Sequence, residues 1–68
     1  MTHKTKCYFT LAVRFEASDR YTAQFGDYDR DVVAQEREDE YEDAYATKII
    51  STKDDQQSID RAIAKLNA

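Results

Sequence analysis

Near its amino-terminal end the chain alternates apolar and polar residues more strictly than anywhere else. From Lys6 to Ala17 every second residue is apolar, and alternate residues of a β-strand lie on the same face. One face carries Cys7, Phe9, Leu11, Val13 and Phe15, and the other carries Tyr8, Thr10, Ala12, Arg14 and Glu16. We therefore predict a strand with one buried face. On that face Cys7 is expected to be a small buried hydrophobic residue rather than a nucleophile.

A turn and a returning strand are predicted to follow. Residues 17–20 supply polar turn-forming side chains without a glycine. Tyr21, Ala23 and Phe25 then alternate with polar residues, which indicates a strand with a shared apolar face. Gly26 is expected to end this strand. The first two strands should therefore form an antiparallel hairpin.

The middle of the chain predicts a helix and then a third strand. The helix extends from about Asp29 to Asp43, and Asp27 or Asp29 is a suitable N-cap. Its apolar stripe is thin and is interrupted by Arg37, so the helix is expected to pack weakly or against something other than its own core. The stripe consists of Val32, Val33, Tyr41, Ala44 and Tyr45. Residues 44–52 return to strand character.

The last segment predicts an amphipathic helix that lies on the sheet. Four apolar residues recur there at helical spacing, namely Ile59, Ala62, Ile63 and Leu66. Thr52 or Asp54 is the expected N-cap, and Lys65 suits the negative end of the helix dipole.

These elements together predict a single α+β domain that spans residues 1–68. The expected order is β-β-α-β-α, with a three-stranded antiparallel sheet and two helices on one face of it. Alternatively, the outward face of the first strand, with Tyr8, Thr10, Ala12 and Arg14, pairs with another copy or is covered by one of the helices. A chain of 68 residues is close to the lower limit at which a hydrophobic core suffices for stability.

The composition excludes several classes of function. A single cysteine cannot form an internal disulfide, which favours a reducing, cytoplasmic setting. With one glycine and one histidine, His3, the chain has no phosphate-binding glycine loop, zinc motif or Ser-His-Asp arrangement. It also has no apolar run that predicts a signal peptide or a membrane span. We therefore expect a soluble, non-enzymatic protein without catalytic residues, cofactor, metal or membrane contact.

The negative charge is concentrated in a quarter of the chain. Between Asp27 and Asp43 there are nine acids and two bases, a net charge of −7, whereas the whole chain has −4. Three like-charge pairs stand four residues apart, namely Glu36/Glu40, Glu38/Glu42 and Asp39/Asp43. Each such pair destabilises a helix by about 0.2–0.5 kcal/mol. This segment is either a binding surface or a solvated face that maintains solubility.

As a binding surface, the segment has the charge density of a nucleic acid. Seventeen helical residues cover about 25 Å, in which one DNA strand places about seven phosphates. Tyr28, Tyr41 and Tyr45 lie in or beside the segment and provide rigid contact area for an interface. These features predict a larger, basic, nucleic-acid-binding protein as the partner, with no direct binding of nucleic acid by this chain.

The same segment contains part of a calcium-binding pattern. Asp27, Asp29, Asp31 and Glu38 occupy positions 1, 3, 5 and 12 of an EF-hand loop. The sixth position is Val32, where the sharp turn of such a loop needs glycine. Helix capping is therefore the preferred role of these aspartates, and a calcium loop remains a minor alternative.

The chain is small, lacks proline, is rich in tyrosine and has an acidic segment flanked by tyrosines. In these features it resembles the small accessory proteins of phages and mobile elements. These include several anti-CRISPR proteins and inhibitors of restriction that occupy DNA-binding surfaces. The resemblance implies a DNA mimic acting in the host cytoplasm, whose acids contact basic residues of the target and whose tyrosines are anchors. The implied acids are Asp27, Asp29, Asp31, Glu36, Glu38, Asp39, Glu40, Glu42 and Asp43, and the implied anchors are Tyr28, Tyr41 and Tyr45.

The alternative hypothesis is a structural or self-associating module, for example a homodimer, that uses an apolar face of the sheet. In that case the acids serve only solubility. Salt dependence separates the two hypotheses, because added salt weakens a contact between opposite charges far more than an apolar one.

Overall fold

The structure, a computed structural model, describes residues 7–68 and confirms the predicted fold class and element order. The strands are β1 (Tyr8–Arg14), β2 (Thr22–Asp27) and β3 (Ala46–Thr52), and the helices are α1 (Arg30–Glu40) and α2 (Gln56–Leu66). They form an α+β fold with one three-stranded sheet. Within the described residues, none of the helices has the length and apolar character needed to cross a membrane.

β1 lies in the centre of the sheet. The strand order is β2-β1-β3, and both neighbours run antiparallel to β1. Leu11 lies opposite Phe25 on one side and Ile49 on the other, so these three side chains share a face. Leu11 and Val13 are both 0% exposed, which confirms the predicted buried face at the centre of β1.

The two helices lie on opposite faces of the sheet, which corrects the prediction that both cover one face. α1 covers the face of Leu11 and Val13, where Val33 completes a buried cluster. The other face of β1 is also shielded from solvent, with Thr10 at 3% exposure and Ala12 at 0%. A second helix on that face explains this burial.

That second helix is α2, which crosses the face from one end of β1 to the other. Gln56 and Ile59, in its first turns, line a cavity together with Thr10. Leu66, at its end, lies beside Arg14. Of the possibilities that the sequence leaves open for this face of β1, the structure thus supports the one in which a helix covers it.

Asn67, the residue after α2, ties the helix to the beginning of β2. Its Oδ1 accepts a hydrogen bond from the backbone N–H of Tyr21 at 2.7 Å, and its Nδ2 donates to the Tyr21 carbonyl at 3.1 Å. The side-chain amide thus satisfies both backbone groups of Tyr21, as a neighbouring strand would.

β2 contains a bulge, and the bulge divides its predicted apolar face. The register shifts between Leu11 and Ala12, so Phe25 lies opposite Leu11 whereas Ala23 lies opposite Ala12. Ala23 and Phe25 therefore belong to different faces although they are two residues apart. The strand also continues one residue past Gly26, its predicted end.

β1 is shorter than its alternating pattern predicted. It pairs with β3 from Tyr8 to Arg14. Cys7 precedes this ladder and is exposed, so the prediction that it is buried is wrong. Phe15 follows the ladder and is 50% exposed. Alternation specifies a buried face only where neighbouring strands and a helix continue to cover it.

Both helices begin after an aspartate. Asp29 is the N-cap of α1, as predicted. α2 is capped by Asp55 rather than Thr52 or Asp54, because the Asp55 carboxylate accepts the Ser58 N–H at 2.7 Å. α1 ends at Glu40, earlier than the predicted end of the helix.

Candidate partner-binding surface

α1 is attached to the sheet along one side. Val33 is fully buried, and Ala34 and Arg37 beside it are half-buried. Tyr41, one turn beyond Arg37, packs against the same core. The opposite side of the helix consequently faces solvent.

The acidic residues of α1 lie mainly on that solvent-facing side. Asp31, Glu38, Asp39 and Glu40 are exposed and Glu36 is half-buried, and we call these five residues the acidic face. The 11 residues of α1 cover about 16 Å at about 1.5 Å each. A DNA strand places about five phosphates in that length. Arg30 and Arg37 offset two of the five acids, so the net charge of α1 is −3 and its charge density is lower than that predicted for the longer segment.

Glu42 and Asp43 lie outside α1, which corrects the prediction that they are helical. Both are exposed in the turn between α1 and β3. The two like-charge pairs that include them are therefore not helical pairs, whereas Glu36 and Glu40 remain four residues apart on the helix. By ending early, α1 gathers fewer negative charges at the negative end of its dipole.

At the amino end of α1 the predicted aspartates hold the backbone. Asp27 Oδ1 accepts the N–H of Asp29 at 2.8 Å, and Asp29 Oδ1 accepts the N–H of Asp31 at 2.9 Å. Asp31 lies in the first turn, where the helix dipole favours a negative charge. Within residues 7–68, no group of three or more acidic, histidine or cysteine side chains is placed to hold a metal ion.

Tyr28 is fixed to two other parts of the domain. Its ring packs edge-on against Tyr8, with ring centroids 5.1 Å apart, and its hydroxyl donates to Asp54 Oδ2 at 3.0 Å. This hydrogen bond and the negative charge of Asp54 raise the pKa of Tyr28 above its ordinary value. Because Tyr28 is still 51% exposed, a partner can contact a ring whose position is already defined.

The single glycine of the chain sets the position of Tyr8. The Tyr8 ring lies directly against Gly26, and a Cβ on Gly26 would overlap that ring. Absence of a side chain at this point of β2 therefore lets Tyr8 reach across the sheet and support Tyr28.

Tyr41 has a structural role at the other end of α1. Its backbone N–H donates to the Arg37 carbonyl at 3.0 Å, which makes it the C-cap residue. Its half-buried side chain contacts the core, and its ring centroid lies 6.2 Å from that of Phe15. Of the three predicted anchors, Tyr41 is thus the least available to a partner.

Tyr45 is the most exposed of the three tyrosines, at 58%. The guanidinium carbon of Arg14 lies 4.9 Å from the centre of its ring, in a cation–π contact. Tyr45 also lines a cavity of about 310 Å³ with Tyr41, Glu38 and Glu42. An exposed aromatic ring, two carboxylates and the guanidinium of Arg37 thus line one cavity at the carboxyl end of α1.

The structure brings the predicted residues into two groups, one at each end of the acidic face. Asp27, Tyr28 and Asp29 form the first group, and Tyr41, Glu42, Asp43 and Tyr45 belong to the second. Sequence reasoning missed Tyr8, Arg14 and Asp54, which hold Tyr28 and Tyr45 in place. No local pattern identifies them, because each contact joins residues that are far apart in the chain.

Comparison of the chain with protein-family models, curated proteins and solved structures gave no match.

Proposed function

We propose that the protein is a non-enzymatic inhibitor that uses its acidic face to bind a larger, basic, nucleic-acid-handling complex in place of nucleic acid. The supporting observation is the orientation of α1. Val33 anchors one side of the helix in the core, while Asp31, Glu38, Asp39 and Glu40 are exposed around the rest of it. A basic groove that normally holds phosphates would attract these acids over long distances. A CRISPR effector or a restriction system in the cytoplasm of a phage-infected host has this chemistry.

Tyr28 and Tyr45 complement the acids. Each is more than half exposed, and each is held by contacts within the domain, Tyr28 by Asp54 and Tyr45 by Arg14. Little side-chain entropy is lost when an already ordered ring enters an interface. The acids mainly determine how fast the complex forms and how strongly its formation depends on salt, and the two tyrosines mainly determine the lifetime of the complex.

The test compares two charge reversals of equal size. The double variant Glu38→Lys/Glu40→Lys alters the acidic face, and Glu16→Lys/Asp60→Lys alters exposed acids elsewhere. Each variant changes the formal net charge from −4 to zero. Capture from host lysate at low salt, followed by a high-salt wash, measures partner binding by both variants and by the wild type.

We expect the wild type and the Glu16/Asp60 variant to capture a nucleic-acid-binding complex that high salt releases. The Glu38/Glu40 variant should lose capture while keeping its circular dichroism spectrum and melting temperature. Retained capture by a folded Glu38/Glu40 variant would refute the proposal, and so would equal loss in both variants, because that would indicate net charge rather than the acidic face.

The alternative of self-association through an apolar sheet face has less support. It requires an open face, whereas α1 covers Leu11 and Val13, and Thr10 and Ala12 on the other face are also buried. What the sheet leaves open is its edges.

A further inference from the structure

The outer edge of β3 is a strand edge with few features that prevent pairing. Within residues 7–68 no strand lies beyond β3, whose residues Ala46–Thr52 pair continuously with β1. Lys48 is its only charged residue. β2, the other edge strand, is interrupted by a bulge, which is a common protection against edge-to-edge association. β3 has neither a bulge nor a proline.

Apolar residues next to this edge are incompletely covered on both faces of the sheet. Ile49, on the α1 face, and Ile50, on the α2 face, are both half-buried. α2 contacts β3 more than any other strand, yet none of its residues is fully buried. Its apolar stripe, Ile59, Ala62, Ile63 and Leu66, is half-buried throughout.

One flank of α2 is suited to a close neighbour. Gln56 lies on the flank that faces β2, because it lines a cavity with Ala23. By helical geometry Ser58 and Ala62 lie on the opposite flank, toward the free edge of β3. Together with Arg61 and Lys65 they border a shallow cavity of about 210 Å³. The two small residues leave room for a neighbouring helix, whereas the two cations disfavour a second copy of α2 unless salt screens their charge.

We propose that a second copy of this chain pairs with the outer edge of β3 in antiparallel orientation, giving a continuous six-stranded sheet. The twofold axis passes near Ile49, the central residue of β3. Lys48 then lies opposite Ile50 of the second copy, and Thr47 opposite Ser51. No like charges face each other directly across the new strand pair.

The symmetry of this dimer determines where its helices lie. A twofold axis perpendicular to the sheet puts both copies of α1 on one face and both copies of α2 on the other. The acidic face is thereby doubled on a single side, and both copies of α2 lie on the other. The inference concerns β3 and does not depend on whether the acidic face binds a partner.

The expected dimer is weak. Stable interfaces bury about 1,200–2,000 Å² in total, and pairing of two seven-residue strands supplies only part of that area. Association should therefore depend on protein concentration.

The experiment measures mass by sedimentation equilibrium from about 5 µM to about 1 mM in about 0.3 M salt, which screens the net charge of each copy. Cys7→Ser is the background for all samples, because the exposed Cys7 thiol could otherwise form an intermolecular disulfide. The mass should rise from 7.9 kDa toward twice that value with concentration.

Two edge variants test the register. Thr47→Glu/Ser51→Glu and Thr47→Lys/Ser51→Lys each place like charges opposite one another in the proposed pair, so each alone should be monomeric. An equimolar mixture of the two should dimerise again. The matched control, Thr22→Glu/Gln24→Glu, alters exposed residues of the β2 edge and should dimerise like the background protein.

A monomer throughout the concentration range would overturn the proposal. The proposal would also be overturned if the dimer persisted in the β3 variants but was lost in the β2 variant. If the β3 variants fail to fold, hydrogen exchange of the background protein decides: protection of β3 amides must rise with concentration while that of β2 amides stays constant. Unchanged protection in β3 would refute the dimer.

Discussion

Replacement of Thr10 by valine is expected to stabilise the domain. Thr10 is 3% exposed, and its hydroxyl has no hydrogen-bond partner among the described residues. Valine has nearly the same shape and a high preference for strands. The substitution therefore removes an unpaired polar group from the sheet without leaving a cavity.

The size of the effect follows from the cost of burying the hydroxyl. A buried polar group without a partner costs about 1–3 kcal/mol, so Thr10→Val should raise the free energy of unfolding by about 1–2 kcal/mol. For a domain of this length, 1 kcal/mol shifts the melting temperature by about 4–8 °C. The melting temperature should thus rise by roughly 4–16 °C.

Thermal and urea unfolding, followed by circular dichroism, measure this change. Thr52→Val is a suitable control, because the Thr52 hydroxyl donates to the Lys53 carbonyl at 2.7 Å and its loss should bring no gain. A lower melting temperature for Thr10→Val would refute the reasoning. It would mean that the hydroxyl has a partner in solution, such as water in the adjoining cavity of about 210 Å³.

Three further predictions concern the core and the loops. Val33→Ala should lower the free energy of unfolding by about 2 kcal/mol in urea titrations, because Val33 completes the buried cluster. Asp54→Asn should lower the pKa of Tyr28 toward 10.0, which alkaline absorbance titration measures. Hydrogen bonds from Ser58 lower the pKa of Asp55 in the folded protein below 3.8. The Asp55 carboxylate therefore stabilises the fold fully above pH 3.8, and this stabilisation is lost as pH falls through the pKa of the folded state. Asp55→Asn should accordingly weaken the dependence of the urea midpoint on pH in that range.

The parts of the fold that the sequence predicted are those with local causes. Alternation around Leu11 predicted the central strand, and the aspartate at position 29 predicted the start of α1. The face covered by α2 was not predictable, because the small size of Thr10 and Ala12 suits burial under a helix as well as exposure. The bulge at Gln24 has no local signal, since the strand residues around it alternate normally in the sequence.

The candidate site likewise has parts that the sequence predicts and parts that it does not. Exposure of the acidic face was predictable, because unpaired carboxylates are rarely buried. The residues that hold the tyrosines in place were not predictable, because Tyr28 and Asp54 are 26 residues apart in the chain. The contact between Arg14 and Tyr45 similarly depends on the β1–β3 pairing, which places the two residues at the same end of the sheet.

The amide pair between Asn67 and Tyr21 couples the stability of two distant segments. It joins residues 46 positions apart, so forming it before the intervening elements are in place carries the entropic cost of closing a long loop. When the last turn of α2 opens, Tyr21, the residue before β2, loses the partner of its backbone N–H. These two segments should therefore behave as one cooperative unit, in which local fraying at either end is suppressed by the other.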